Sequence, residues 1–322
     1  MKKKKNSKVA GDKCKVIAEI PIACQDEQAA VEFLEKHRWS DDPCCPRCGS
    51  VSVYQMVSRT TGRRNARYLW MCRDCKRQYT VRIGTVFEDS RIPLKHWCYA
   101  FWAACASKKG VSALQIKRMT GLSYKSALFM MHRIRYAMAD DPKTPRKLTG
   151  VVECDETYVG GRPRYPKKGM GKSLDWMDRK TPVLAMVERG GNARAMAIPN
   201  VKGVTLWTHL RRHIDQEATL MTDELHAYKR IGKPFKKHYR IKHGLGQYVK
   251  GDVHTNTVEG FFSLLKRGII GTFHSVSKKH LHRYVAEFEF RYNTRRQGDG
   301  ERLAKAIKSA QGKRLKYKDQ VS

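Results

Sequence analysis

Two cysteine hooks constrain this chain more than any other feature. Cys45 and Cys48 stand in "DDPCCPRCGS", and Cys72 and Cys75 in "WMCRDCKRQYT", with 23 residues (49–71) between the pairs. Two C-x-x-C hooks at that separation bring four thiolates round one Zn²⁺ and leave room for a β-hairpin. A tetrahedron closed by four cysteines keeps no open coordination position, so its role is structural. Cys44 offers a neighbouring thiol, but the C-x-x-C register selects Cys45. Gly49 and Lys76 follow the hooks as turn residues, the pattern of a zinc ribbon.

Charge then narrows the partner. The 322 residues hold 65 Lys+Arg against 30 Asp+Glu, a formal net charge of +35. Such an excess points to a polyanion, and nucleic acid is the commonest one. A hydrophobic fraction of 41% supplies ordinary cores for two or three domains. No run of about 18 apolar residues occurs, so no membrane span is expected. The basic N-terminus "MKKKKNSKVAGDKCK" leads into no apolar segment and does not read as a secretory signal. The ten cysteines are therefore expected as reduced thiols.

The expected organisation is a disordered basic arm (1–23), then a short amphipathic helix with the zinc ribbon (24–89), then a helical DNA-binding region (90–140). A linker with two prolines (141–149), a catalytic domain (150–300) and a basic tail (301–322) follow. The stretch "SRTTGRRNARYLW" between the hooks is arginine-rich, which makes Arg63, Arg64 and Arg67 candidates for DNA-backbone contact. In "VSALQIKRMTGLSYKSALFMMHRIRYAM" a glycine, Gly121, separates two helical patterns, and Ser123 is a credible N-cap for the second. This is a candidate helix-turn-helix, with Tyr124 and Lys125 at the base-reading start of its second helix.

After the linker the pattern alternates. Residues 150–161, 181–190 and 193–200 read as strands, 205–214 as a helix, 218–223 and 238–244 as strands, and 256–268 and about 277–295 as helices. That order of elements is the ribonuclease-H-like α/β fold. Asp155 stands in a strand of apolar and β-branched residues, and Asp223 ends a second one. Burying an ionised carboxylate there is costly unless it is paired or holds a metal. Glu259 lies on the helix "HTNTVEGFFSLLKRG", where Asn256, Glu259, Ser263 and Lys266 share one face. Carboxylates suit Mg²⁺, and a basic protein gains from acids near DNA only with a cation between them. The loop 162–180, with Lys167 and Lys168, is a further candidate for DNA contact, as is Arg267 beside Lys266.

Together "CPRCGS", "ECDETYVGG", "TDELHAY" and "HTNTVEGFFSLLKRG" resemble a DDE insertion-sequence transposase carrying an N-terminal zinc ribbon. The resemblance runs in one order over about residues 30–297. It implies a multidomain α+β and α/β protein that binds terminal inverted repeats and catalyses DNA cleavage and strand transfer. It implies two Mg²⁺ or Mn²⁺ ions held by Asp155, Asp223 and Glu259, with Lys266 as the basic partner. Some relatives carry asparagine as the third residue, so Asn256 stays open as an alternative. Inverted-repeat and target double-stranded DNA, a homodimer or higher oligomer on DNA, and a cytoplasmic, nucleoid-associated location follow as expectations. Two other readings use the same residues: a non-catalytic DNA-binding regulator, and a nuclease that cuts without joining.

Overall fold

The computed structural model describes residues 6–40, 42–140, 146–160, 180–241, 249 and 251–321. The chain divides into two compact units, Met1–Met138 with Arg296–Ser322, and Ala139–Arg295. In the first, α1 (Asn6–Gln25) and α2 (Glu27–Trp39) are separated by Asp26, whose carboxylate accepts the Ala29 N–H at 2.7 Å as an N-cap. The segment expected as a disordered arm is thus helical from Asn6. Val16, Ile20 and Ala23 are buried at helical spacing, and that apolar stripe outweighs the lysines around it.

The three-stranded sheet β1 (Val53–Gln55), β2 (Trp70–Cys72) and β3 (Gln78–Tyr79) is antiparallel throughout. Three helices follow, α3 (Leu94–Ala106), α4 (Ala113–Thr120) and α5 (Tyr124–Met138). Gly121 ends α4 in the left-handed conformation, φ 71°, where a side chain would be strained.

The second unit is built on a five-stranded mixed sheet. Its strands are β4 (Val151–Val159), β5 (Thr181–Glu188), β6 (Ala193–Ala197), β7 (Thr219–Thr222) and β8 (Lys237–Arg240), in the order β6-β5-β4-β7-β8. The first three pair antiparallel, whereas β4, β7 and β8 run parallel. Helices α6 (Gly203–His213) and α7 (His226–Ile231) join the parallel strands. Helix α8 (Asn256–Gly268) passes through a π-helical turn and a 3₁₀ turn into α9 (Leu281–Asn293). This mixed sheet is the ribonuclease-H-like arrangement expected from the order of elements.

Alternation along the strands divides the core in two. Val152, Cys154, Leu184 and Met186 meet Leu206, Leu210 and Tyr228 from α6 and α7. On the opposite face, Val159, Val183, Ala185 and Val187 meet Val258, Phe261, Leu265, Val285 and Phe288 from α8 and α9. Helix α8 buries Val258, Phe261, Phe262 and Leu265 and leaves Asn256, Glu259, Ser263 and Lys266 exposed, so the stripe read from the sequence is its solvent face.

The chain then returns to the first unit as α10 (Asp299–Lys308), with α11 (Lys318–Val321) after it. Leu303, Ala306 and Ile307 are buried, and α10 packs against α1, α2, α3 and α5. Residues 301–322 are therefore not a basic tail. An apolar i, i+3, i+4 stripe among the lysines seats α10 in the core.

Two glycines of α8 separate packing from propensity. A Cβ at Gly268 would lie 2.0 Å from Cζ of Phe288, whereas one at Gly260 meets nothing within 4 Å. Gly268→Ala is expected to destabilise the protein by about 1–3 kcal/mol. Gly260→Ala is expected to stabilise it by about 0.5–1 kcal/mol. Urea denaturation of the two variants checks both signs.

Candidate active site and zinc site

The hooks close on each other. Sγ of Cys45 lies 3.7 Å from that of Cys75, and Sγ of Cys48 lies 3.6 Å from that of Cys72. All four sulfur atoms fall within 4.8 Å of one another, and Cys44 stands outside the group. A tetrahedron of thiolates with Zn–S bonds of about 2.3 Å has S–S edges of about 3.8 Å, so these four residues fit zinc. Left-handed residues follow each hook, Gly49 at φ 77° and Lys76 at φ 54°. The Gly49 N–H donates to the Cys45 carbonyl at 2.9 Å, which tightens the first knuckle.

The ribbon is seated on α2. Glu35 accepts the Trp70 indole N–H at 2.8 Å and Arg64 at 2.5 Å, and Trp39 meets Trp70 and Tyr79 edge-on. Arg64, expected at the DNA backbone, is consumed by this contact and is largely buried. Its guanidinium also lies over the Tyr68 and Trp70 rings, so it holds the ribbon to the helix. Arg63 and Arg67 remain exposed.

In the helical region the Ser123 hydroxyl accepts the Ser126 N–H at 3.1 Å and starts α5 as the sequence suggested. Tyr124 is 47% exposed. The Lys125 ammonium stands over the rings of Phe129 and Tyr317, 5.8 and 5.2 Å from their centroids. Lys167 and Lys168 lie outside the described residues.

Asp155 within β4 and Asp223 just beyond the end of β7 follow the last register pair of these two parallel strands, Cys154 with Thr222. The Asp223 carboxylate accepts the Leu225 N–H at 3.0 Å, which turns the chain into α7. Asp155 is on the face of β4 that α8 covers, and Glu259 is in the first turn of α8. Among the described residues the four cysteines form a group of metal-binding side chains within 4.8 Å; the three acids do not stand that close together. Glu259 accepts the Thr255 hydroxyl at 3.0 Å. The Nε of Arg267 donates to the Ser263 carbonyl at 3.2 Å, and Lys266 is exposed on the stripe of Glu259.

Comparison with known proteins places this arrangement. Residues 147–293 match the family model of the ISXO2-like transposase domain, and residues 25–78 that of the transposase zinc-ribbon domain. An "uncharacterized protein in transposable element ISH50" of Halobacterium salinarum is 30% identical over 296 residues, covering 88% of this chain and 97% of that protein. The chain belongs to the ISXO2-like transposases. An "uncharacterized transposase-like protein" of Haemophilus influenzae is 26% identical over 98 residues, covering 30% of this chain and 78% of that protein. The zinc-ribbon match and the four-cysteine geometry agree on structural zinc in this transposase. Among the described residues of the transposase no helix is long and apolar enough to cross a membrane.

Two further acids lie beside the proposed triad, and sequence reading missed both. Glu153 is completely buried. It accepts the N–H groups of Thr257 and Val258 at 2.7 and 3.1 Å, the Thr257 hydroxyl at 2.9 Å and Arg189 at 2.6 Å. His254 lies 3.3 Å from the same carboxylate, and Arg189 also donates to the carbonyls of Asp252 and His254. Glu153 thereby ties the start of α8 to β4, two residues before Asp155. A second charge at alternate spacing in an apolar strand was the available signal. Glu156 faces the other side and accepts the Tyr228 hydroxyl of α7. Burial pushes its carboxyl up to about 8, with the charges of Asp223 and Asp155 adding to the rise against the tyrosine bond.

Cys72→Ser is expected to lose the bound zinc and unfold the ribbon, whereas Cys44→Ser keeps one zinc per chain; metal analysis and near-ultraviolet circular dichroism distinguish them. Glu153→Ala would leave Arg189 and two helix N–H groups without their buried acceptor. Its expected cost is about 3–5 kcal/mol of stability, read from chemical denaturation.

Proposed function

We propose that this transposase cleaves DNA at the terminal inverted repeats of its element and joins the ends to target DNA, through Asp155, Asp223 and Glu259 as holders of two divalent ions. The observation that carries this reading is the parallel register of β4 and β7, with α8 tied over β4 by Glu153. Asp155 and Asp223 stand on neighbouring strands and Glu259 on the helix tied over β4, and hard oxygen donors of this kind suit Mg²⁺ or Mn²⁺. Divalent ions held by Asp155, Asp223 and Glu259 would supply Lewis-acid chemistry, lowering the pKa of a water or a 3′-hydroxyl and offsetting charge on the leaving oxygen in phosphoryl transfer.

The chain's own residues do the rest. Asp155, one position past the last β4–β7 pair, and Asp223, at the end of β7, would hold the cations that bind the reacting phosphate. Glu259 completes the set from the helix, and Asn256, one turn earlier on the same exposed face, is the alternative third ligand. Lys266, two turns beyond Glu259, contacts the phosphate backbone of the same DNA end, with Arg267 beside it. Arg63 and Arg67 of the ribbon hold the backbone outside the site, and Tyr124 with Lys125 opens the base-reading helix. Two ends must be brought together, so the acting form is a homodimer or a higher oligomer on DNA, at work on the nucleoid in the cytoplasm.

The test is cleavage and joining on a labelled duplex carrying the terminal repeat, with Mg²⁺ or Mn²⁺. Asp155→Asn, Asp223→Asn and Glu259→Gln are each expected to lower the joined product at least about 100-fold while duplex binding persists. Binding without cutting by the wild type favours a regulator, and cutting without joining a nuclease. Full activity in Glu259→Gln moves the third-ligand role to Asn256.

A further inference from the structure

We infer that a basic groove between α6 and α7 seats an unpaired DNA strand at the sheet edge where β7 ends before Asp223. The inference rests on the DNA-processing reading of this site and adds a binding surface to it. Strand directions put the groove at the proposed catalytic edge. Since β5 is antiparallel to both β4 and β6, β6 runs in the direction of β4, and β7 is parallel to β4. The C-terminal ends of β4, β6 and β7 therefore open on one edge. Helix α6 starts 203 − 197 = 6 residues beyond β6, and α7 starts 226 − 223 = 3 residues beyond Asp223.

Between the two helices lies a groove of about 1020 Å³, bordered by Lys202 and Trp207 on one side and His226, Lys229, Arg230 and Lys233 on the other. Among the described residues no aspartate or glutamate lines it. All four lysine and arginine side chains are exposed. Cations gathered in a concave surface without a carboxylate repel each other and attract a polyanion. The volume is at the top of the range that encloses a drug-sized ligand, so there is room for a nucleotide segment rather than a single ion.

Trp207 decides between paired and unpaired DNA. The indole is only half-buried and stands edge-on to Phe235, with centroids 6.2 Å apart. Bases of an intact duplex are stacked on each other and leave no face for it. A positively charged groove with an aromatic platform is the surface that holds a single strand. The opposite side of α7 is fixed, since Tyr228 is buried and donates to Glu156. Lys229 and Arg230 are thus carried on a helix tied to the strand that bears Asp155, and Lys233 follows in the turn after it.

The experiment uses the full-length protein and a 20-nucleotide single strand substituted with 5-iodouracil, without added Mg²⁺, irradiated and mapped by mass spectrometry. Cross-links are expected in the peptides spanning 202–207 and 226–233. The triple variant Lys229→Ala, Arg230→Ala, Lys233→Ala is expected to lower that yield at least tenfold. It should also reduce the slope of log affinity against log salt by about 2, from three cations at about 0.7 each. Trp207→Leu should weaken binding of the strand about fivefold or more, while Trp207→Phe retains it. Cross-links confined to other segments, an unchanged salt slope in the triple variant, or equal affinity of the Leu and Phe variants overturns the inference. Cross-linking needs no catalysis, so a wild type that neither cuts nor joins DNA would overturn the transposition reading and leave this result legible.

Discussion

The second unit depends on the carboxylate of Glu153. An ion without solvent exposure is stable only with full compensation, and this one receives a guanidinium, a hydroxyl and two backbone N–H groups. The two N–H groups belong to the first turn of α8, where the helix has unsatisfied donors and a positive dipole end. Neutralising the acid and capping the helix are therefore one interaction. It joins residues 104 positions apart in sequence and fixes where the helix bearing Glu259 begins relative to the strand bearing Asp155. Arg189 extends the tie by holding the carbonyls of Asp252 and His254 in the approach to α8.

The first unit shows that a large positive charge is not all available to DNA. Arg64 neutralises Glu35, and several other arginines work as struts between loops. Arg38 donates to the Val81 carbonyl, Arg82 to those of Ser90 and Ile92, and Arg133 to those of Val86 and Glu88. Arginine is suited to this because its planar fork reaches several acceptors at once and keeps its charge under burial. The small ribbon and the short helices around it have limited apolar area, and these struts order the connecting segments. Arg63 and Arg67, by contrast, keep their side chains exposed.

Much of the architecture was legible because its signals are local. The cysteine hooks, the strands of the second unit and the two faces of α8 each depend on residue spacings of a few positions. Gly121 and Ser123 likewise mark the turn before α5 through their own backbone and side-chain chemistry. Legibility failed where a charged residue hides an apolar stripe, as in α1 and α10. Lysines are interspersed in both segments, three in α1 and two in α10, while Ile20 and Leu303 are among the residues they bury.

The sequence by itself determined the elements of the second unit, the cysteine hooks and the family, since these rest on short-range spacing and on motifs that need no partner to be read. Tertiary structure alone decided which charges are spent internally. An arginine or glutamate reads the same in the sequence whether it faces water or a buried counter-ion. Only the packing of α2 on the ribbon assigns Arg64 to Glu35, and only the crossing of α8 over β4 assigns Glu153 to the helix start. The physical reason is that desolvation and pairing of a charge are set by groups brought near through folding, across separations that no local pattern records.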